Sequence, residues 1–218
     1  MTENVRTHLD VLLARYTKLK YCEAQLICAY EEIEQSYLAG GKLLIAGNGG
    51  SAADSEHMVG ELMKSFILPR RVSPETVERL EQLEPELGPV LAEYLQGALP
   101  AIALNGHPAL TTAYMNDCEP LLCFAQQVNG YGRPEDALLA ISTSGNSKNV
   151  LFAAITAKMK GMRVVGLTGE KESRLSGLAD VTIQVPETVT YMIQELHLPV
   201  YHCLCLMLEE RFFGNVEE

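Results

Sequence analysis

The chain has 218 residues, 47% hydrophobic and 21% charged, enough apolar material for one packed domain and too much for a disordered chain. Lys and Arg number 17 against 28 Asp and Glu, a net charge of −11. That balance argues against a general nucleic-acid or anionic-membrane binder, which needs a basic face, and it means that an anionic substrate must be held against the overall field.

No apolar run approaches the roughly 20 residues that span a bilayer. The polar start MTENVRTHLDVLL does not read as a secretory signal. The six cysteines form no CxxC pair and read as reduced thiols in a cytoplasmic protein rather than a disulfide framework.

Residues 1–39 read as helical. Val5, Leu9, Leu12 and Tyr16, then Leu26, Tyr30, Ile33 and Tyr37, recur at helical spacing, and Gly40 and Gly41 stop the run. Five short apolar strands follow, at 42–46 (KLLIA), 100–104 (PAIAL), 137–142 (ALLAIS), 162–168 (MRVVGLT) and 181–185 (VTIQV). Helices are expected between them, around 110–114 and over 149–160 among others. This alternation predicts an α/β fold, one doubly wound domain over 1–218 with a parallel sheet covered on both faces and right-handed crossovers.

Residues 69–97 read as a helical insertion of two short helices. Ser73 and Pro74 supply the N-cap and first turn of one, and Pro85 opens the second, which ends near Gly97. A long final helix over 188–213 carries few charges before its last turns and is expected to be largely buried, including between subunits.

Four groups of residues could carry chemistry. Gly47-Asn48-Gly49-Gly50-Ser51 directly follows a strand. Its glycines let a ligand approach the backbone, although a tight turn alone has the same composition. Ser142-Thr143-Ser144-Gly145-Asn146-Ser147 also follows a strand and packs four hydroxyls at a helix start. Such an array can hold a phosphate or merely cap the helix. Two such loops at the carboxyl ends of strands fit the ligand crevice of an open α/β sheet.

His57 and Glu61 lie four apart on one helix face, the spacing of metal ligands and equally of an ordinary hydrogen bond. Gln194, His197 and His202 are more polar than the packing of their apolar helix needs and suggest a polar cavity.

Taken together, GNGGSAADSEHMVGEL (47–62), the Asn116-Asp117 pair, DALLAISTSGNSKNV (136–150), GMRVVGLTG (161–169) and IQELHLPVYH (193–202) resemble the sugar-isomerase (SIS) domain family, and within it the sedoheptulose 7-phosphate isomerases. The likeness runs from about residue 20, interrupted by 69–97. It implies a flavodoxin-like five-stranded parallel sheet, a homotetramer with active sites between subunits, and zinc. The substrate implied is sedoheptulose 7-phosphate, converted to D-glycero-D-manno-heptose 7-phosphate.

Residue by residue, the resemblance makes Asn48, Gly49, Gly50 and Ser51 the first substrate loop. Asn116 and Asp117 become sugar contacts, and Ser142, Thr143, Ser144 and Ser147 the phosphate loop. His57, Glu61, Gln194 and His202 become zinc ligands. Glu61 and Gln194 also contact substrate, and Glu61 and His202 form the proton-transfer pair. None of these phosphate contacts is Lys or Arg, and Lys148 is the only cation near them in sequence.

Gln194 and His202 are eight apart, about 12 Å along an ideal helix. Sharing one ion then needs extended side chains or a bend at Pro199, with His197 the competing ligand. Tyr191 stands where relatives carry an acid, so another ketose phosphate remains possible. A second reading is a non-catalytic relative resembling the adaptor of the bacterial replication initiator DnaA. Those relatives lose the side chains matching Glu61 and His202, and this chain has both. A third, a phosphosugar-sensing domain, usually accompanies an output domain for which no length remains.

Overall fold

The computed structural model describes residues 1–214; the last four residues of the expected domain, 215–218, lie outside the described residues. Thr2 caps α1 (Glu3–Arg15), its Oγ1 accepting from the Val5 amide at 3.4 Å. The helical stretch expected over 1–39 is in fact two α-helices joined by a 3₁₀ segment, Thr17–Cys22, before α2 (Glu23–Leu38). Tyr16, Leu19 and Cys22 are spaced by three, the period of a 3₁₀ helix, and Leu19 and Cys22 turn into the core. Helix α2 ends in a Schellman motif: the Gly40 amide donates to Tyr37 O at 3.0 Å and the Gly41 amide to Ser36 O at 2.9 Å. Gly40 has φ +79°, which glycine adopts without a Cβ clash.

The sheet comprises β1 (Leu43–Ala46), β2 (Ala101–Ala103), β3 (Ala137–Ile141), β4 (Arg163–Gly169) and β5 (Val181–Val185). All pairings are parallel, in the order β2-β1-β3-β4-β5. Alternate side chains feed two cores. Leu43, Ile45, Leu139, Ile141, Val165 and Leu167 pack with α1, α2 and the C-terminal helix on one face. Leu44, Ala46, Leu138, Ala140 and Val164 pack on the other. Both faces are dry, which is why these strands are near-continuous apolar runs.

Helix α3 (Gly50–Met63) follows β1, and α4 (Pro74–Leu83) and α5 (Gly88–Tyr94) form the insertion. Ser73 caps α4, accepting from the Thr76 amide at 3.2 Å, as its Ser-Pro sequence predicts. The second helix opens at Gly88 rather than Pro85. The Glu84 carboxylate accepts from the amides of Glu86 and Leu87 and holds that stretch as a turn.

Helix α6 (Pro108–Asp117) and α7 (Cys123–Tyr131) link β2 to β3, and α8 (Lys148–Met159) links β3 to β4. Turns join β4 to β5, where a helix was expected. Ser173 and Ser176 exchange side-chain and backbone hydrogen bonds there, which competes with helix formation. The final helix, α9 (Thr190–Phe213), runs without interruption through Pro199. Among the described residues no helix is long and apolar enough to cross a membrane.

Candidate active site

β1 and β3 are neighbours whose outgoing connections diverge, so the crevice beyond their carboxyl ends is a topological switch point. Both hydroxyl- and amide-bearing loops open there. Gly49 (φ +55°) and Gly145 (φ +63°) take backbone conformations that L side chains rarely adopt, and a Cβ at Gly145 would collide with Ser173. Ser142 Oγ donates to Ser147 Oγ at 3.0 Å, and the Asn146 amide donates to Ser144 Oγ at 3.2 Å. The loops are latched by a reciprocal amide pair. Asn48 Nδ2 donates to Asn149 Oδ1 at 3.0 Å, and Asn149 Nδ2 donates to Asn48 Oδ1 at 2.7 Å.

A cavity of about 260 Å³ beside the second loop is lined by Thr143, Ser144 and Asn146, by Lys171, and by the carboxylate residues Glu170, Glu172 and Glu187, the last paired with Lys18. Lys148 is therefore not the only cation at this loop. Lys171 lies too far along the chain for sequence proximity to find it, and the β4 turn brings it round.

Helices α3 and α9 pack together and bring three of the candidate side chains into one cluster. His57 Nε2 lies 3.2 Å from Glu61 Oε1 and 3.5 Å from His202 Nε2. Glu61 Oε2 also accepts from Lys64 Nζ at 2.9 Å. On the far side of the ring, His57 Nδ1 lies 3.1 Å from the Tyr201 hydroxyl, and that hydroxyl donates to Asp54 Oδ1 at 3.2 Å. Burial, then the Asp54 carboxylate, push the Tyr201 pKa well up, so the phenol stays protonated. Burial raises the Asp54 pKa, opposed by the Tyr201 bond and His57.

With its hydrogen given to Asp54, Tyr201 accepts from His57 Nδ1–H. That tautomer turns the Nε2 lone pair toward Glu61 and His202. Burial first, then the neighbouring His57, lower the His202 pKa and favour its neutral ring. Asp54 lies three residues before His57 on the same helix face, a spacing that could have found it. Tyr201 carries no such signal.

The other candidates stand elsewhere. Gln194 lies against Gly50, where a Cβ would come within 2.6 Å of its Nε2. α3 and α9 thus run side by side, with Gln194 level with Gly50, seven residues before His57 on α3, and no hydrogen bond joins it to the cluster. His197 is fully buried, its Nε2 3.3 Å from Thr168 O, so it is a core residue beneath the site. Burial pushes its pKa down to about 4. Asn116 donates to Asp117 at 2.8 Å, and this pair sits on α6, which packs chiefly on α7 and the 3₁₀ turn Pro120–Leu122.

Among the described residues no three His, Cys, Asp or Glu side chains form a ready-made metal cage. The His57–Glu61–His202 set is the donor group whose chemistry is nearest to that of a zinc site. Its two spacings from His57 Nε2, 3.2 and 3.5 Å, bracket the edge of a tetrahedron with zinc-ligand bonds, about 3.3 Å.

A doubly wound sheet with two glycine- and hydroxyl-bearing loops at its switch point, and an imidazole–carboxylate cluster where α3 packs on α9, defines an open α/β protein with a ligand crevice at the carboxyl ends of its strands. Residues 80–169 match the SIS domain model. The phosphoheptose isomerase of Rhodospirillum rubrum is 34% identical over 96% of this chain and 98% of its own, and that of Shewanella oneidensis is 36% identical over 100% and 95%. Among solved structures, a phosphoheptose isomerase from Francisella tularensis superposes with TM-score 0.73 at 28% identity, covering 96% of this chain and 100% of its own. Phosphoheptose isomerase GmhA from Neisseria gonorrhoeae gives 0.69 at 31%, covering 93% and 96%. The chain belongs to the phosphoheptose isomerase family.

Proposed function

We propose that the protein is a zinc-dependent aldose–ketose isomerase that converts sedoheptulose 7-phosphate to D-glycero-D-manno-heptose 7-phosphate. It works as a cytoplasmic homotetramer. The observation that carries the chemistry is the convergence of Glu61 and His202 on His57 Nε2, at the helix α3 whose first residues belong to a substrate loop. Membership in the family supplies the substrate.

The reaction moves a proton from C1 to C2 through an enediolate while a hydroxyl proton passes from O1 to O2. A carboxylate and an imidazole suit these tasks, and Glu61 and His202 share them. His57, Glu61 and His202 would hold zinc, which supplies Lewis-acid polarisation of the substrate carbonyl when bound, and Gln194, beside Gly50, serves as a substrate contact at the first loop. Asp54 and Tyr201 hold the His57 ring in the tautomer that keeps Nε2 available. The Ser142–Ser147 loop and the start of α8 bind the phosphate with hydroxyls, amides and the helix dipole, joined by Lys171. Asn48 through Ser51, with Asn116 and Asp117, bind the sugar.

The test is incubation of zinc-loaded protein with sedoheptulose 7-phosphate. An aldoheptose 7-phosphate forms, and its formation stops with chelator. No turnover combined with tight binding to the replication initiator DnaA would replace this reading with that of the adaptor.

A further inference from the structure

Arg70 and Glu209 form an ion pair sealed from water: both side chains are 0% exposed, and Nε lies 2.8 Å from Oε1. Two charges in a dry interior are costly unless every lone pair and N–H is used, so their partners indicate what the pair holds. The Glu209 carboxylate also accepts from the amides of Phe66 (2.8 Å), Ile67 (2.9 Å) and Leu68 (3.2 Å). The remaining Arg70 nitrogens cap the end of α3. Nη1 donates to Leu62 O at 2.6 Å, and Nη2 donates to Glu61 O at 2.9 Å. The guanidinium stacks on Phe213, 4.6 Å from the ring centre.

Helix α3 stops at Met63, so the carbonyls of Glu61 and Leu62 have no partner within the helix. Glu209 follows His202 by seven residues, two turns along nearly the same face of α9. One end of the pair therefore grips the backbone of Glu61, and the other is anchored two turns from His202. Beyond it the chain leaves for the largely exposed α4–α5 insertion, which returns with the Gly97 amide donating to Arg70 O at 2.7 Å. The Leu99 amide also donates to Leu62 O at 3.0 Å, so the carbonyl of Glu61 is the one at this helix end that depends on Arg70 alone, among the described residues.

We propose that the Arg70–Glu209 pair is a positioning device for the reaction, setting the Glu61 carboxylate against His202. The inference rests on the isomerase reading. Proton transfer is steep in geometry, and a misplacement of about 1 Å can cost on the order of 10²-fold in rate. A pair that served only to stabilise the fold would leave turnover per folded molecule unchanged.

The test uses the full-length, zinc-loaded protein in two variants. Arg70→Met with Glu209→Leu replaces the pair by apolar groups of similar volume, an exchange that buried ion pairs often tolerate. Arg70→Lys keeps the charge but cannot span both carbonyls and the carboxylate. For the double variant, which leaves the amides of Phe66, Ile67 and Leu68 and the Glu61 carbonyl without these partners, we expect a lower melting temperature but a folded protein at assay temperature, with KM within about threefold and kcat per folded molecule down at least about tenfold. Zinc affinity, read by competition with a chromogenic chelator, falls about tenfold or more. Arg70→Lys falls between the two.

Wild-type kcat in either folded variant overturns the proposal, as does a loss confined to KM. If the double variant does not fold, the kcat and KM of Arg70→Lys decide. If the wild type shows no turnover, the isomerase reading fails, and the chelator competition alone decides the clamp: unchanged zinc affinity overturns it. A wild type that neither turns over nor binds zinc overturns both.

Discussion

Tyr201 links His57 to Asp54: its hydroxyl donates to Asp54 Oδ1 at 3.2 Å and lies 3.1 Å from His57 Nδ1, so that with its hydrogen given to Asp54 it accepts there. One hydroxyl on α9 thus decides which nitrogen of a ring on α3 offers its lone pair to the cluster. Outer partners of this kind typically contribute 10–100-fold to metal affinity. Tyr201→Phe should lower zinc affinity by about that factor while leaving the circular dichroism spectrum unchanged. Chelator competition measures it, and an unchanged affinity would refute the tautomer assignment.

Glu61→Gln removes the carboxylate while conserving volume and polarity. Loss of a general base costs about 10²–10⁴-fold. Turnover of sedoheptulose 7-phosphate, and exchange of its C1 proton with deuterated water, should both fall by at least about 10²-fold. Light scattering should show the same assembly as the unmodified protein. Full exchange activity in this variant would sink the catalytic role.

Ser142 spends its hydroxyl hydrogen on Ser147 Oγ, which leaves the Ser147 hydrogen free for a ligand. A hydrogen bond to a charged group is worth about 1.5–3 kcal/mol. Ser147→Ala should therefore raise KM by roughly 10–100-fold with kcat nearly unchanged. Steady-state kinetics separate the two constants. A fall in kcat at constant KM would move Ser147 out of the phosphate loop.

Stability should depend on pH through His197. Burial holds its folded pKa near 4, below the ordinary 6.5, so the unfolded chain takes up a proton at a pH where the folded one does not. The contribution is complete above pH 6.5 and is lost as pH falls from there toward 4, by up to ~3 kcal/mol. Urea unfolding at a series of pH values measures it. His197→Gln should show a flatter profile, and an identical profile would show that this ring is not the cause.

Much of the fold was written in local pattern. The runs LLIA and ALLAI are strands because each is apolar on both faces and punctuated by glycine or polar turns, which a sheet covered on both sides demands, while VTIQV, at the sheet edge, alternates apolar and polar residues. Ser73-Pro74 marked a helix start by chemistry confined to four residues. The start of α5 was misplaced because the Glu84 carboxylate, acting across a turn, outweighed the preference of Pro85 for a first turn. The missing helix between β4 and β5 has the same origin, serine side chains competing for backbone amides.

The candidate site divides along the same line. The spacing of His57 and Glu61 on one helix, and the hydroxyl loop at the head of α8, are periodicities that a chain carries in itself. The choice between His197 and His202 was not. Both lie on α9, and only the packing of α9 against α3 and β4 buries one ring against Thr168 while turning the other toward His57. Lys171, Asp54, Tyr201 and the Arg70–Glu209 pair depend on contacts between segments remote in the chain. The sequence by itself determined the alternation of strands and helices, the glycine turns and the types of side chain available for chemistry, because these follow from local sterics and apolar periodicity. Which side chains meet, in which tautomer and beside which charge, was decided only by the tertiary structure, because lone pairs and charges act over a few ångströms of space and chain order does not set those distances.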